Sequence, residues 1–120
     1  IRARDPGKGL LDLPGGFIDP GEGAQEGLAR ELHEELGIHV AAADLAYRFS
    51  FPNRYPYKGI EYRTCDLFFQ LELPAGLEPV AADDVAGLVW RRPEAVTPEE
   101  LAFESMRKAV GRFAAESGRP

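Results

Sequence analysis

Three glutamates, Glu31, Glu34 and Glu35, sit close together in a stretch whose apolar spacing reads as a helix. At about 100° per residue, with Glu31 at zero, Glu34 falls at about −60° and Glu35 at about +40°, so the three carboxylates share one flank. Leu28, Leu32 and Leu36 fall at about +60°, +100° and +140° on the same wheel, which makes the acidic flank adjoin the buried stripe. Bare anions in that position are costly. Glu31 and Glu35 also form a like-charged i,i+4 pair, worth about a few tenths of a kcal/mol against the helix. Oxygen donors gathered for a hard divalent cation, Mg²⁺ or Mn²⁺, would explain the arrangement. A solvated acidic helix face is the other reading of the same spacing.

The charge distribution bears on that choice. The chain has 120 residues and a formal net charge of −6. Residues 12 to 39 hold Asp12, Asp19, Glu22, Glu26, Glu31, Glu34 and Glu35 against Arg30 alone, so this one segment carries the whole excess. Crowded carboxylates repel, and a bound cation relieves the repulsion. Just ahead of the acidic helix, Gly15-Gly16-Phe17-Ile18-Asp19-Pro20-Gly21-Glu22-Gly23 forms a glycine-rich loop whose backbone can approach a metal or a phosphate closely. Arg30 is a natural partner for Glu22.

Other elements must hold this helix and loop in place. The spacing of Ala24, Leu28, Leu32 and Leu36 predicts a helix over residues 24 to 36, with Gly37 ending it in the left-handed conformation. Residues 1 to 4 read as the end of a strand, Pro6 to Gly9 as a turn, and Leu10 to Leu13 as a short strand. Leu45, Tyr47, Phe49 and Phe51 alternate as on a half-buried strand, and Pro52 to Gly59 reads as a Pro- and Tyr-rich loop. A second alternating run lies in Ile60 to Leu73, and Leu88-Val89-Trp90 gives a third, shorter strand. Thr97-Pro98-Glu99-Glu100 reads as the start of a C-terminal helix, with Thr97 at the N-cap and Pro98 in the first turn. Phe103, Met106, Val110 and Phe113 then form the stripe that packs on the sheet.

The size suits one globular domain over residues 1 to 120 and excludes a two-domain enzyme. There is no apolar run of ~18 residues for a transmembrane helix and no signal-peptide pattern. The single cysteine, Cys65, can form neither an internal disulfide nor a zinc ribbon, which points to a reducing cytoplasm. Outside the acidic segment acids and bases balance, leaving no basic stripe for duplex nucleic acid. His33 and His39 read as surface residues. The first residue is Ile1 rather than Met, so the expectation is that the chain begins inside a longer one, its N-terminus truncated.

Gly16, Glu22, Arg30, Glu31, Leu32, Glu34, Glu35, Gly37 and Ile38 together resemble a complete Nudix box, the signature of Nudix hydrolases. The resemblance implies an α/β fold, an α/β/α sandwich with a mixed β-sheet. It also implies divalent-metal-dependent hydrolysis of a nucleoside diphosphate linked to another moiety. Glu31, Glu34 and Glu35 would then be catalytic metal ligands, joined by a carbonyl at Gly15 or Gly16. Glu22, Arg30 and Gly37 would be structural. In the family a further carboxylate sometimes comes from a later loop, here residues 81 to 87, where Asp84 is the candidate.

Ser50-Phe51-Pro52-Asn53-Arg54-Tyr55-Pro56-Tyr57 is similar, in a degraded form, to the signature of NADH pyrophosphatases, which favours NADH or ADP-ribose as substrate. Independently, Phe51, Tyr55 and Tyr57 could stack a base while Arg54 and Lys58 meet phosphates. The rivals are nucleoside triphosphate hydrolysis and a catalytically silent nucleotide-binding module, which would usually have lost box carboxylates. The expected partner is a small-molecule nucleotide, with no membrane and no duplex nucleic acid, and homodimerisation is left open.

Overall fold

The computed structural model describes residues 1–117. Gly118 to Pro120, the end of the domain expected over residues 1 to 120, lie outside the described residues. Helix α1 spans Ala24–Leu36, with the bounds that its apolar spacing predicts. The Gly23 carbonyl accepts the Gly27 N–H at 2.9 Å to open it. Gly37 closes it at φ 67°, its N–H donating to the His33 carbonyl at 2.9 Å. Only glycine takes that left-handed position without strain.

Strands β1 (Ala46–Tyr57) and β2 (Ile60–Gln70) form one long antiparallel hairpin. This corrects the loop expected at residues 52 to 59. Pro52 and Pro56 share one parity, so their missing N–H groups fall where the ladder asks for none, and prolines are tolerated on such an edge. The connection is only Lys58-Gly59, with φ of 49° and 78°, the two positive values of a tight hairpin turn. A register shift between Tyr47 and Phe49 marks a bulge.

Both helices pack against the hairpin. Leu32 and Leu36 of α1 form a buried cluster with Ile38 and Leu45, against which Phe69, Leu71 and Leu73 pack. Helix α2, Glu104–Ser117, lies against β1, and its fully buried Ser105 hydroxyl donates to Asp66 at 2.6 Å. The α/β class stands. Beyond the hairpin, pairing among the described residues is limited to an antiparallel bridge, Arg2 with Val85, and a parallel one, Leu11 with Leu101.

Two expected elements are revised. Thr97 and Glu100 do form the capping box, but it closes only the 3₁₀ turn Pro98–Glu100. The backbone at Glu100 and Ala102 is taken by Leu11, through Leu11 N–H to Glu100 O at 2.8 Å and Ala102 N–H to Leu11 O at 2.9 Å, so α2 begins later. Leu88-Val89-Trp90 is not in a ladder, and Trp90 is 77% exposed. These residues, with parts of the hairpin, α2 and residues 11–14, line an apolar cavity of about 460 Å³. No helix among the described residues is long and apolar enough to cross a membrane.

Candidate active site

The glycine-rich loop is clipped to α1 at successive points. The Gly15 N–H donates to Glu35 Oε1 at 2.8 Å. At Gly16 a Cβ would stand 2.7 Å from Glu31 Oε1, so the absent side chain is what lets the Glu31 carboxylate lie against the loop backbone. The next residue, Phe17, has its carbonyl bound by Arg30 Nη2 at 3.2 Å. Further on, the Asp19 N–H donates to Glu22 Oε1 at 2.7 Å.

Arg30 is the hub of this cluster. Its Nη2 donates to Glu22 Oε1 at 2.7 Å, and its Nη1 to Glu31 Oε1 at 3.0 Å and Glu34 Oε2 at 3.2 Å. Nε lies 3.3 Å from Asp19 as well. Glu22 and Arg30 thus tie loop to helix, and hydrogen bonding to Arg30 holds the Glu22 carboxyl below its ordinary range. The many acids around Arg30 strengthen its hold on its proton.

The Glu31 and Glu35 carboxyls are perturbed the other way. Burial raises Glu31, with Arg30 opposing and Glu34 and Asp19 adding repulsion. Glu35 is pushed up to about 7, first by burial and then by the charges of Glu31, Asp12 and Asp83, while the Gly15 N–H pulls against them. Asp12 is itself raised by burial despite its bond to Arg2.

Asp83 went unnoticed in the sequence. The Val80 N–H donates to the Leu36 carbonyl and the Ala82 N–H to the Glu35 carbonyl, both at 2.9 Å, so this loop satisfies the open carbonyls at the end of α1. Docked there, it brings the charge of Asp83, at φ 56°, to bear on Glu35. Asp84 instead pairs with Arg4 at 3.1 Å on the exposed side. A tandem Asp-Asp signals a carboxylate in the loop, but the backbone decides which one faces the helix.

The aromatic residues are partly engaged with one another. Tyr55 meets Phe17 edge to face at 5.5 Å, Phe103 at 5.4 Å and Tyr57 at 6.3 Å, and its hydroxyl accepts from Arg2 at 3.3 Å. Phe51 packs with Phe49 and Phe68. Lys58 sits over the Tyr57 ring at 5.2 Å, and exposed Arg54 stands opposite Arg63 across the ladder. Phe17, next to the double glycine, is 59% exposed. His33 and His39 are exposed as expected and stack at 4.1 Å.

Among the described residues, no three His, Cys, Asp or Glu side chains are gathered closely enough to hold a metal ion. The donor chemistry nonetheless fits a hard divalent cation, since Glu31, Glu34 and Glu35 offer only oxygen. Arg30 now supplies the positive charge that Glu31 and Glu34 attract.

An oxygen-rich flank, a glycine loop pressed onto it and an arginine hub within an α/β frame define a domain built around clustered carboxylates. The NUDIX domain family model matches residues 1–113, and the chain belongs to that family. Nudix hydrolases generally use divalent metals. The chain is similar to an 8-oxo-dGTP diphosphatase of Haemophilus influenzae, 46% identical over 52 residues, 43% of this chain and 37% of that protein. It is also similar to an ADP-ribose pyrophosphatase of Methanocaldococcus jannaschii, 40% identical over 55 residues, 46% of this chain and 32% of that one. A putative 8-oxo-dGTP diphosphatase of Bacillus subtilis is 34% identical over 84 residues, 70% of this chain and 51% of the relative. The matches thus span from about a third to about half of these relatives, which are longer than this chain: 52 residues at 37% imply about 140, and 84 at 51% about 165. No solved structure matches the chain.

Proposed function

We propose that this domain is a divalent-metal-dependent pyrophosphohydrolase that cleaves the diphosphate of a nucleoside diphosphate derivative, with ADP-ribose and NADH as the favoured substrates. The observation that carries the reading is the loop-to-helix clip at Gly15 and Gly16, which sets backbone against Glu31 and Glu35 on a flank shared with Glu34. Glu31, Glu34 and Glu35, with a carbonyl at Gly15 or Gly16, would hold Mg²⁺ or Mn²⁺. When bound, the cation supplies neutralisation of diphosphate charge and Lewis acidity toward water.

The chain's own groups do the rest. Arg30 and Glu22 fix the loop against the helix. Water attacks one phosphorus, the bridging P–O bond breaks, and two phosphate-bearing products leave. Asp83, docked at the end of α1, is better placed than Asp84 to take the proton of that water, since Asp84 is committed to Arg4. Phe17 offers the open ring on which a base can stack, with Tyr55 backing it. The exposed thiol of Cys65 fits a reducing cytoplasm.

Similarity to 8-oxo-dGTP diphosphatases favours a second reading, hydrolysis of a nucleoside triphosphate. A panel of ADP-ribose, NADH, dGTP and 8-oxo-dGTP, assayed with and without Mg²⁺ or Mn²⁺, separates the two. Glu34→Gln should lower turnover roughly 10² to 10⁴-fold. Asp83→Asn should cost more turnover than Asp84→Asn. No metal-dependent product from any substrate would leave a silent binding module as the better account.

A further inference from the structure

A polar cleft of about 250 Å³ opens between β1 and the start of α2, lined by Asn53 and Arg54 of the strand and by Phe103, Glu104 and Arg107 of the helix side. Asn53 is only 9% exposed, and its carboxamide makes no hydrogen bond among the described residues. No sealed side-chain nitrogen or oxygen among those residues lacks a partner, so this amide opens on the cleft that its residue lines. An amide drawn that far out of bulk water is costly unless something in the cleft meets it.

The groups around Asn53 are mostly unspent donors. Arg54 is exposed, stands directly opposite Arg63 across the ladder and forms no ion pair among the described residues. Like charges set opposite each other weaken a hairpin, and an anion between strand and helix relieves them. Arg107 spends Nε on the Pro98 carbonyl and Nη2 on the Leu101 carbonyl, both at 3.1 Å, which leaves Nη1 without an acceptor. The N–H groups of Glu104, Ser105 and Met106, in the first turn of α2, also have no acceptor among the described residues. The one acid in the wall, Glu104, has a side chain 67% exposed whose nearest cation is Lys108, 3.7 Å away.

We propose that this cleft is a phosphoryl-binding site, in which Asn53 Nδ2, the Arg54 and Arg107 guanidiniums and the first N–H groups of α2 hold the oxygens of a phosphate. A tetrahedral dianion offers acceptors in several directions and matches the guanidinium fork, whereas a carboxylate offers only two oxygens. The cleft has no open ring for a base, because Phe103 is buried and its ring is taken by Tyr55 at 5.4 Å and by Arg2 at 5.0 Å. The rings of Phe103 and Tyr55 also stand between the cleft and Phe17 of the glycine-rich loop. The proposal therefore goes beyond the hydrolase reading, and its test needs neither metal nor turnover.

Nuclear magnetic resonance of the ¹⁵N-labelled protein in EDTA, at constant ionic strength, reads the site directly. Inorganic phosphate should shift the Asn53 Nδ2 protons and the Glu104 and Ser105 amides saturably, while chloride does not. Asn53→Asp, which sets an anion in the cleft, should weaken phosphate binding about 10-fold or more. Arg54→Ala removes an exposed side chain with no ion pair, so it keeps the fold and should weaken binding about 5-fold or more. AMP distinguishes the two sources of the group. Binding at the same signals no tighter than phosphate means that the free anion is the ligand, and binding about 10-fold tighter means that the phosphate arrives on a nucleotide. No saturable shift at Asn53 with either probe, an equal shift with chloride, or binding that Arg54→Ala leaves unchanged would overturn the proposal.

Discussion

Replacing Glu35 by Gln should stabilise the metal-free protein while impairing turnover. The Glu35 carboxyl is lifted from 4.5 to about 7, chiefly by burial. Because the folded value is raised, the unfolded chain ionises first. Between about pH 4.5 and 7 the native state keeps a proton that the unfolded state has released, so stability falls as pH rises through that window and stays low above it. At about 1.4 kcal/mol per tenfold change in proton affinity the full cost is about 3 kcal/mol. Glu35 is only partly buried, and solvent screening reduces this to about 1–2 kcal/mol. Glutamine keeps an oxygen for the Gly15 N–H but carries no charge at any pH. Urea unfolding in EDTA at pH 5 and pH 8 reads the difference, and titrations common to both proteins cancel. Wild type should lose about 1–2 kcal/mol more than Glu35→Gln between those pH values. Parallel pH profiles for the two proteins would refute the reasoning.

Mg²⁺ or Mn²⁺ in the millimolar range should raise the thermal midpoint of the wild type, and EDTA should reverse it, because the cation binds only the folded arrangement of carboxylates; scanning fluorimetry reads the shift. Gly27→Ala should destabilise by about 1–3 kcal/mol in urea, since its Cβ would collide with Ile18 Cγ2 and press on Glu22 Oε1 at 3.0 Å. Phe17→Ala should raise KM for a base-bearing substrate about 10-fold while leaving metal dependence unchanged. Tyr55→Ala should instead lower stability, measured by the same unfolding assay, because the ring is already packed on Phe103 and Phe17.

Helix α1 could be read from the sequence because every cue lay within its own residues: the four-residue apolar spacing, Gly37 at the end and the acids on one flank. The Glu22–Arg30 tie was legible for the same reason, as a charge pair spanning one loop. Elements that depend on distant partners were not. Pro52 and Pro56 argue for a loop until one knows that β2 lies on the side where their missing N–H groups do not matter. Thr97-Pro98 starts a turn as its chemistry dictates, yet Leu11, far away in the chain, decides that the turn stops at Glu100. Asp83 and Asp84 are chemically alike, and their different neighbours come from a loop docked onto α1 by backbone hydrogen bonds. The sequence also suggests a strand at Leu88-Val89-Trp90, whose local preference meets no ladder among the described residues.

The Lys58-Gly59 turn has a reach beyond its own two residues. Side chains alternate along a strand, so a slip of one position would move Tyr55 from the face it shares with Phe17 and Phe103 to the opposite one. With both turn residues at positive φ, the turn permits one alignment of Tyr57 with Ile60, and through it Tyr55 with Tyr62. The turn therefore acts as an indexing pin for the aromatic wall. Lengthening it by one residue would exchange which rings border the acidic site without altering any side chain there. Insertions at this tip are accordingly a route by which one carboxylate helix could be fitted to different bases.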